Sequence, residues 1–348
     1  MSKNVHCFTS VSFSYLDRAR VLVEAVKRFH PDWTFWLGIS DEEPDGFDFD
    51  PAQEMFDRVL WIKDLGIADL QSWIFKHNVV ELCTAVKGQM LLHLLEQGAD
   101  NVIYLDPDIA VFGTLSPVLD LLDTHNVVLT PHVVMPEKIH TAITDNEIGT
   151  LKHGIYNLGF LAVRNSKEGR RFSEWWRDRL LKYCYEAIEE GLFTDQRWCD
   201  LAPCFFDGVY ILRDPGYNVA SWNLNHRLIT FDEQGTILAG GSVLRFFHFT
   251  KVNSVGEVML ERYSHGQIGV FELLKWYRQR LVAHSVAGLP PKWWKFGRFD
   301  NGQVILPNHR LLYRHREDLQ HAFPNPFSTS GYGYLDWFNE HGMPLNLR

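Results

Sequence analysis

The sequence predicts an α/β domain organised around a parallel sheet. Three observations carry that expectation. Residues 4–10 (NVHCFTS), 15–29 and 33–39 (WTFWLGI) read as strand, amphipathic helix and strand, the repeating unit of parallel sheets. Residues 101–105 (NVIYL) are a continuous apolar run of the kind buried on both faces. Further strand patterns at 126–130 and 155–163 are separated from it by a short helical stretch near 116–123 and by a long connection.

Each element has its own signal. In the first helix Leu16, Ala19, Leu22, Val23 and Val26 share one face, and His30-Pro31-Asp32 ends it. A turn-rich acidic stretch, 41–51, leads to a short strand near 58–62. Residues 71–97 read as helical, with Leu82, Ala85, Val86, Met90, Leu91, Leu94 and Leu95 as the apolar stripe, interrupted by Gly88 and stopped by Gly98. The connection 131–155 holds two prolines and three histidines and is long for a loop, which marks it as a mobile or functional segment. A mixed-charge helix is expected over 167–189 and a strand over 242–250. Residues 256–348 turn helical, then irregular and aromatic, and read as a C-terminal appendage.

The chain has 348 residues, 46% of them apolar and 22% charged, which excludes global disorder. Lys and Arg number 34 against 43 Asp and Glu, a net charge of −9 that argues against a nucleic-acid partner. Five irregularly spaced cysteines with no CxxC pair argue against structural zinc and fit reduced thiols. The sequence offers no apolar run that reads as a signal peptide and none near the ~20 residues of a membrane span. The expectation is a cytoplasmic protein that meets a membrane, if at all, only by its surface. The 12 tryptophans suit either core packing or a ligand cleft.

Asp106-Pro107-Asp108 stands at the end of the apolar strand, where open α/β sheets bind ligands. Successive carboxylates on a strand point to opposite faces, but a break forced by Pro107 lets both converge. Two hard oxygen donors beside solvent suit Mg²⁺ or Mn²⁺, the alternative being a surface turn.

VIYLDPDIAVFG resembles the DxD strand of GT-A glycosyltransferases, especially the family 8-like group of glycogenin and bacterial lipopolysaccharide transferases. FTSVSFSYLDRARVLVEAV, AVKGQMLLHLLEQGAD, YNLGFLAV, TDQ and FFHFT match other segments of that group in order, over residues 5–250. The resemblance implies a mixed, mostly parallel sheet flanked by helices. It divides the chain into a catalytic domain over 1–255, donor-binding to about 130 and acceptor-side beyond, with 256–348 packed on it. It implies transfer of a sugar from a nucleotide donor, most simply a UDP-sugar, to a glycan or lipid-linked glycan in surface-polysaccharide synthesis.

The same resemblance gives Asp106, Asp108 and His248 as ligands of Mn²⁺ or Mg²⁺. It places Thr9 and Ser10 around the base and ribose, with Tyr15 for stacking and Asp41 for a polar contact. Lys87 lies near the donor, Asn157 contacts the sugar with Gly159 permitting close approach, and Asp195 and Gln196 face the transferred sugar. For Asp195 the alternative is a helix N-cap formed by Thr194 or Asp195, with the sugar role preferred, and Lys87 reads equally as a solvated lysine. Lys251 falls earlier than the group's phosphate lysine, and the expected glycine is missing. Trp222, Asn223, Asn225, His226 and Arg227 suit a carbohydrate site or a structural corner, and His132 an acceptor-side residue.

Three other readings compete. A haloacid dehalogenase-type phosphatase also uses Asp-x-Asp, but it places Thr or Val where this chain has Ala110, and its motif opens the domain. A sugar nucleotidylyltransferase would need a glycine-rich N-terminal loop. A non-catalytic carbohydrate-binding protein would keep the aromatics without needing the two carboxylates.

Overall fold

The computed structural model describes residues 3–252 and 254–342. Strands β1 (Val5–Val11), β2 (Thr34–Ile39), β3 (Arg58–Trp61), β4 (Asn101–Leu105), β6 (Val127–Pro131) and β7 (Tyr156–Arg164) join Val209–Ile211 in a seven-stranded sheet. A short strand, β5 (Ile109–Val111), lies between β4 and β6 in the chain but outside that sheet. From one edge the sheet runs Val209–Ile211, β6, β7, β4, β1, β2, β3, and only β7 is antiparallel to its neighbours. The sheet is therefore mixed and mostly parallel, as expected. β1 and β4 are buried along their whole length because helices cover both faces. Alternation along β1 sends Phe8 to one apolar cluster and Val5, Cys7 and Val11 to the other.

The first helix forms over Leu16–Phe29, as its periodicity requires. The long helix expected over 71–97 is instead three: Leu70–Phe75, Val79–Ala85 and Lys87–Glu96. Asn78 causes the first break. Its side chain accepts from the Val80 and Glu81 N–H groups at 2.9 Å, while Glu81 Oε2 accepts from Asn78 N at 2.8 Å. Gly88 is no mild flaw but a contact. A Cβ there would lie 2.6 Å from Arg177 Cα, so only glycine lets Lys87–Glu96 cross Lys167–Tyr183 this closely.

Other boundaries also move. The 131–155 connection is largely helical, with His140–Ala142 and Gly149–His153 flanking a π-helical turn over Ile143–Ile148. Polar bonds hold it: Glu137 Oε1 accepts from Asn146 at 2.8 Å and Oε2 from Asn225 at 3.0 Å. Its Ile139, Ile148 and Leu151 are exposed, so no core-facing apolar stripe advertised the helix. The 167–189 helix stops at Tyr183 and gives way to a small hairpin. The strand expected over 242–250 divides into Ser242–Val243 and Phe246–His248, which pair with different partners.

The C-terminal part is mainly helical, including Val255–Tyr263, Ile268–Ala283, Pro307–His315 and Tyr334–His341. Phe296, Tyr313 and Tyr334 share one apolar cluster with Phe75 and Trp176. The cysteines are unpaired. No helix among the described residues is long and apolar enough to cross a membrane.

Gly88→Val should lower folding stability by about 1–3 kcal/mol through overpacking against Arg177. Urea unfolding measures it, and an unchanged midpoint would contradict the close crossing.

Candidate metal and donor site

The site forms where β4 ends. Asp106 N still donates to Gly159 O at 2.8 Å, continuing the β4–β7 ladder, and Ile109 N returns to Asp106 O at 3.0 Å, closing the Pro107 turn. β5 then pairs antiparallel with Phe246–His248, setting His248 opposite Ile109. That register carries the imidazole to both carboxylates: His248 Nε2 lies 2.9 Å from Asp108 Oδ1 and 3.6 Å from Asp106 Oδ2. One ligand atom from each of the three residues falls within 4.8 Å of the others. The distant His248 thus joins the Asp pair.

His248 is oriented from behind. Its Nδ1 lies 3.2 Å from Asn157 Oδ1, and Asn157 Nδ2 lies 3.2 Å from His132 Nε2. Burial pushes His132 down to about 4, so it is neutral at physiological pH. Its Nδ1 donates to Ile155 O at 3.3 Å and Nε2 accepts from Asn157. The Asn157 oxygen then accepts a hydrogen bond from the His248 Nδ1–H, which leaves Nε2 facing the carboxylates. This is the usual outer-shell arrangement for a metal-binding histidine. Burial opposes a charged His248, but Asp108 and Asp106 outweigh it and hold its pKa above the ordinary value. A bound cation would displace that proton. Gly159 makes room, since a Cβ there would sit 2.6 Å from His248 Cε1. The two carboxylates are hard oxygen donors of the kind Mn²⁺ and Mg²⁺ take, and the imidazole favours Mn²⁺ of the two.

Lys87 is not solvated. Its ammonium is buried and donates to Asp195 Oδ2 at 2.8 Å, Asp106 Oδ1 at 3.1 Å and Leu158 O at 3.3 Å. Burial disfavours the charge, yet the two carboxylates raise the Lys87 pKa above its ordinary value. It also lies over the Tyr104 ring, 4.1 Å from the centroid. Tyr104 itself escaped the sequence reading. Its hydroxyl donates to Asp106 Oδ1 at 2.5 Å. The signal was available, because Tyr104 stands two residues before Asp106 on the same strand face.

Asp195 makes no N-cap bond. It is directed to Lys87 by Thr194, whose φ of 44° is a left-handed conformation that costs about 1–3 kcal/mol in a non-glycine residue. Its other oxygen accepts from the Thr194 hydroxyl at 3.1 Å, and Trp176 Nε1 donates to its carbonyl at 3.1 Å. Gln196 is held as well, with Nε2 on His153 O at 2.8 Å and Oε1 facing Leu158 N at 3.4 Å.

Two clefts meet at Asp106 and Asp108. One, about 290 Å³, is lined by Ser10, Tyr15, Val80, Cys83, Thr84 and Lys251. The other, about 430 Å³, is lined by His132, Asn157, Asp195, Gln196, Trp222 and His248. Both touch Lys87, both aspartates, Thr250 and Lys251. Gly256 supplies a close approach that the expected glycine position lacks, because a Cβ there would meet Thr250 O at 2.0 Å. Asn253 lies outside the described residues.

Several expectations need correction. Thr9 does not line either cleft; it is fully buried on the Cys7 and Val11 face of β1, leaving Ser10 to face the ligand side. Asp41 is consumed by structure: Oδ1 accepts from Lys295 N at 2.8 Å and Glu42 N at 2.9 Å, and Oδ2 from Phe13 N at 3.1 Å. Of the Trp222–Arg227 run, Trp222 reaches the cleft. Asn223 caps its own turn and bonds His132 O, Asn225 bonds Glu137, the His226 ring lies 3.2 Å from the Glu137 carboxylate, and Arg227 bonds Tyr217 O, so those four build a corner.

No family model matches the chain. It is 28% identical to the uncharacterized protein YfnF of Bacillus subtilis (strain 168) over 185 residues, 51% of this chain and 59% of that protein, so the match spans little more than half of YfnF. It is 25% identical to YfnD of the same organism over 263 residues, 72% of this chain and 79% of that protein. Among solved structures, the galactosyltransferase LgtC in complex with donor and acceptor sugar analogs aligns at 16% identity and a TM-score of 0.44, covering 83% of this chain and 98% of that one. The glycosyltransferase GlyE of Streptococcus pneumoniae TIGR4 aligns at 17% identity and a TM-score of 0.40, covering 86% and 67%.

Gly159→Ala should displace the His248 ring and weaken Mn²⁺ binding by about 10- to 100-fold, the range typical of outer-shell changes, with an overpacking cost to folding of about 1–3 kcal/mol. Calorimetric Mn²⁺ titration measures it. Unchanged affinity would mean that His248 is not a ligand.

Proposed function

We propose that the protein is a metal-dependent glycosyltransferase that moves a sugar from a nucleoside-diphosphate donor to a glycan or lipid-linked glycan acceptor. The observation that carries the reading is the junction of two clefts at Asp106 and Asp108, with His248 adding a third ligand atom there. A nucleoside-diphosphate sugar has that shape. Its base and ribose suit the smaller cleft beside Ser10 and Tyr15, its diphosphate the junction, and its sugar the larger cleft beside Asn157, Asp195 and Gln196.

Asp106, Asp108 and His248 would hold Mn²⁺ or Mg²⁺, which when bound offsets the charge that grows on a departing nucleoside diphosphate. Lys87 keeps Asp106 fixed and adds positive charge at the base of the junction. Lys251 opens onto both clefts and is placed for a phosphate. Asp195 and Gln196, immobilised by Lys87 and the His153 and Leu158 backbone, present a rigid wall to the sugar. Rigid placement of reacting groups is itself a large part of rate enhancement. Trp222 contributes an apolar face on the acceptor side. Uridine is the base proposed, the C-terminal part is proposed to buttress the catalytic domain, and the cytoplasm is the proposed location.

A thermal-shift screen of nucleotide sugars with and without Mn²⁺ tests the reading. Metal and UDP together should stabilise more than either alone, by roughly 2.7 kcal/mol at a hundred times the Kd. Asp108→Asn should reduce transfer about a thousandfold or more by losing a charged ligand. Gln196→Ala should leave UDP binding intact while lowering transfer. Equal shifts with and without metal would refute the metal-held donor.

A further inference from the structure

A second cavity lies apart from the donor site. A groove of about 800 Å³ lies between the strap 290–302 and residues Glu42, Gln71, Asn325 and Ser328. It opens on the same sheet edge as the donor site. β4, β1 and β2 are adjacent and parallel; Asp106 follows β4 and Glu42 follows β2, two strand spacings or roughly 10 Å away in the sheet plane.

The groove is built in advance. Asp41 accepts from Lys295 N, Trp293 Nε1 donates to Glu42 O at 2.8 Å, Ser14 bonds the Trp293 carbonyl, and Arg310 bonds the Phe296 carbonyl. Lys292, at φ 55°, holds a left-handed conformation of the kind kept at ligand clamps. Its chemistry is also specific. Trp293 and Trp294, both half-buried, bring aromatic surface over the buried Phe296 and Phe299, and Gln71 and Asn325 bring planar amides. The strap carries Lys292, Lys295 and Arg298 within seven residues of a chain whose net charge is −9. Two carboxylates, Glu42 and Asp300, line the groove as well, but among the described residues neither lysine ammonium meets a carboxylate, the Arg298 side chain bonds only the Gly302 carbonyl, and Asp300 is engaged by Thr329, so the three cations outnumber the carboxylates.

We propose that this groove binds an acidic glycan segment, with sugar faces on the aromatic residues and carboxylate or phosphate groups on Lys292, Lys295 and Arg298. The choice of a glycan rests on the transferase reading above; the groove is then a second hold on a growing acidic chain, beside the site that extends it.

Calorimetry on the full chain with tetragalacturonate, with maltotetraose as the uncharged control, tests the proposal. Tetragalacturonate should bind, maltotetraose more weakly, and binding should fall with added salt. The double variant Lys295→Glu and Arg298→Glu alters exposed side chains and should weaken tetragalacturonate binding at least about tenfold, while UDP with Mn²⁺ binds as before. Absence of tetragalacturonate binding, or binding indifferent to the charge reversal, overturns the groove proposal. Loss of UDP and Mn²⁺ binding in the unaltered protein instead overturns the transferase reading.

Discussion

The site depends on one buried cation. Lys87 joins Asp106, at the end of β4, to Asp195, 108 residues beyond the lysine itself, and to the Leu158 carbonyl on β7. Two acidic groups this close in a buried pocket would repel one another and resist ionisation. The ammonium lies against both carboxylates and offsets that repulsion, although burial still holds the Asp195 carboxyl above its ordinary range. Removing one partner of a buried pair leaves an uncompensated charge, at a cost of about 3–5 kcal/mol. Gly88, the next residue, lets the helix bearing Lys87 press against Lys167–Tyr183, so the cation's position is set by packing as well as by charge.

A second constraint acts on His248. Strand pairing with β5 brings it to Asp108, and the Asn157–His132 relay fixes which ring nitrogen faces the carboxylates. The two constraints meet on β7, which supplies the Leu158 carbonyl to Lys87, the Asn157 amide to His248, and in Gly159 the missing side chain that gives the imidazole room. That explains why an Asn-x-Gly segment sits opposite the acidic turn. Each residue answers a separate steric or hydrogen-bonding demand of the same few ångströms.

Much of this was legible in the chain. β1, the first helix, β2 and β4 follow from apolar periodicity, because they are buried by regular packing. The acidic turn followed from two carboxylates flanking a proline at a strand end. What periodicity could not reveal were features set by polar or long-range contacts. The break at Asn78 is a capping box inside an otherwise helical pattern. The helix over 140–153 is tied by Glu137 and leaves its apolar residues exposed. Lys87 reads equally as a donor-side or a solvated lysine because neither acidic partner is near it in sequence. Asp41 looked free for a ligand because its donors include Lys295, far along the chain. Thr9 and Ser10 looked equivalent, yet strand alternation separates them.

The most direct test is where a metal binds. Crystals soaked with MnCl₂ and UDP, measured at the manganese edge, should give one strong anomalous peak within about 2.0–2.3 Å of an oxygen of Asp106, an oxygen of Asp108 and His248 Nε2, distances typical of divalent first-row ions. The UDP diphosphate should contact that peak, with uracil in the Ser10 and Tyr15 cleft. A peak elsewhere, or none at these three residues with UDP bound, would contradict the account.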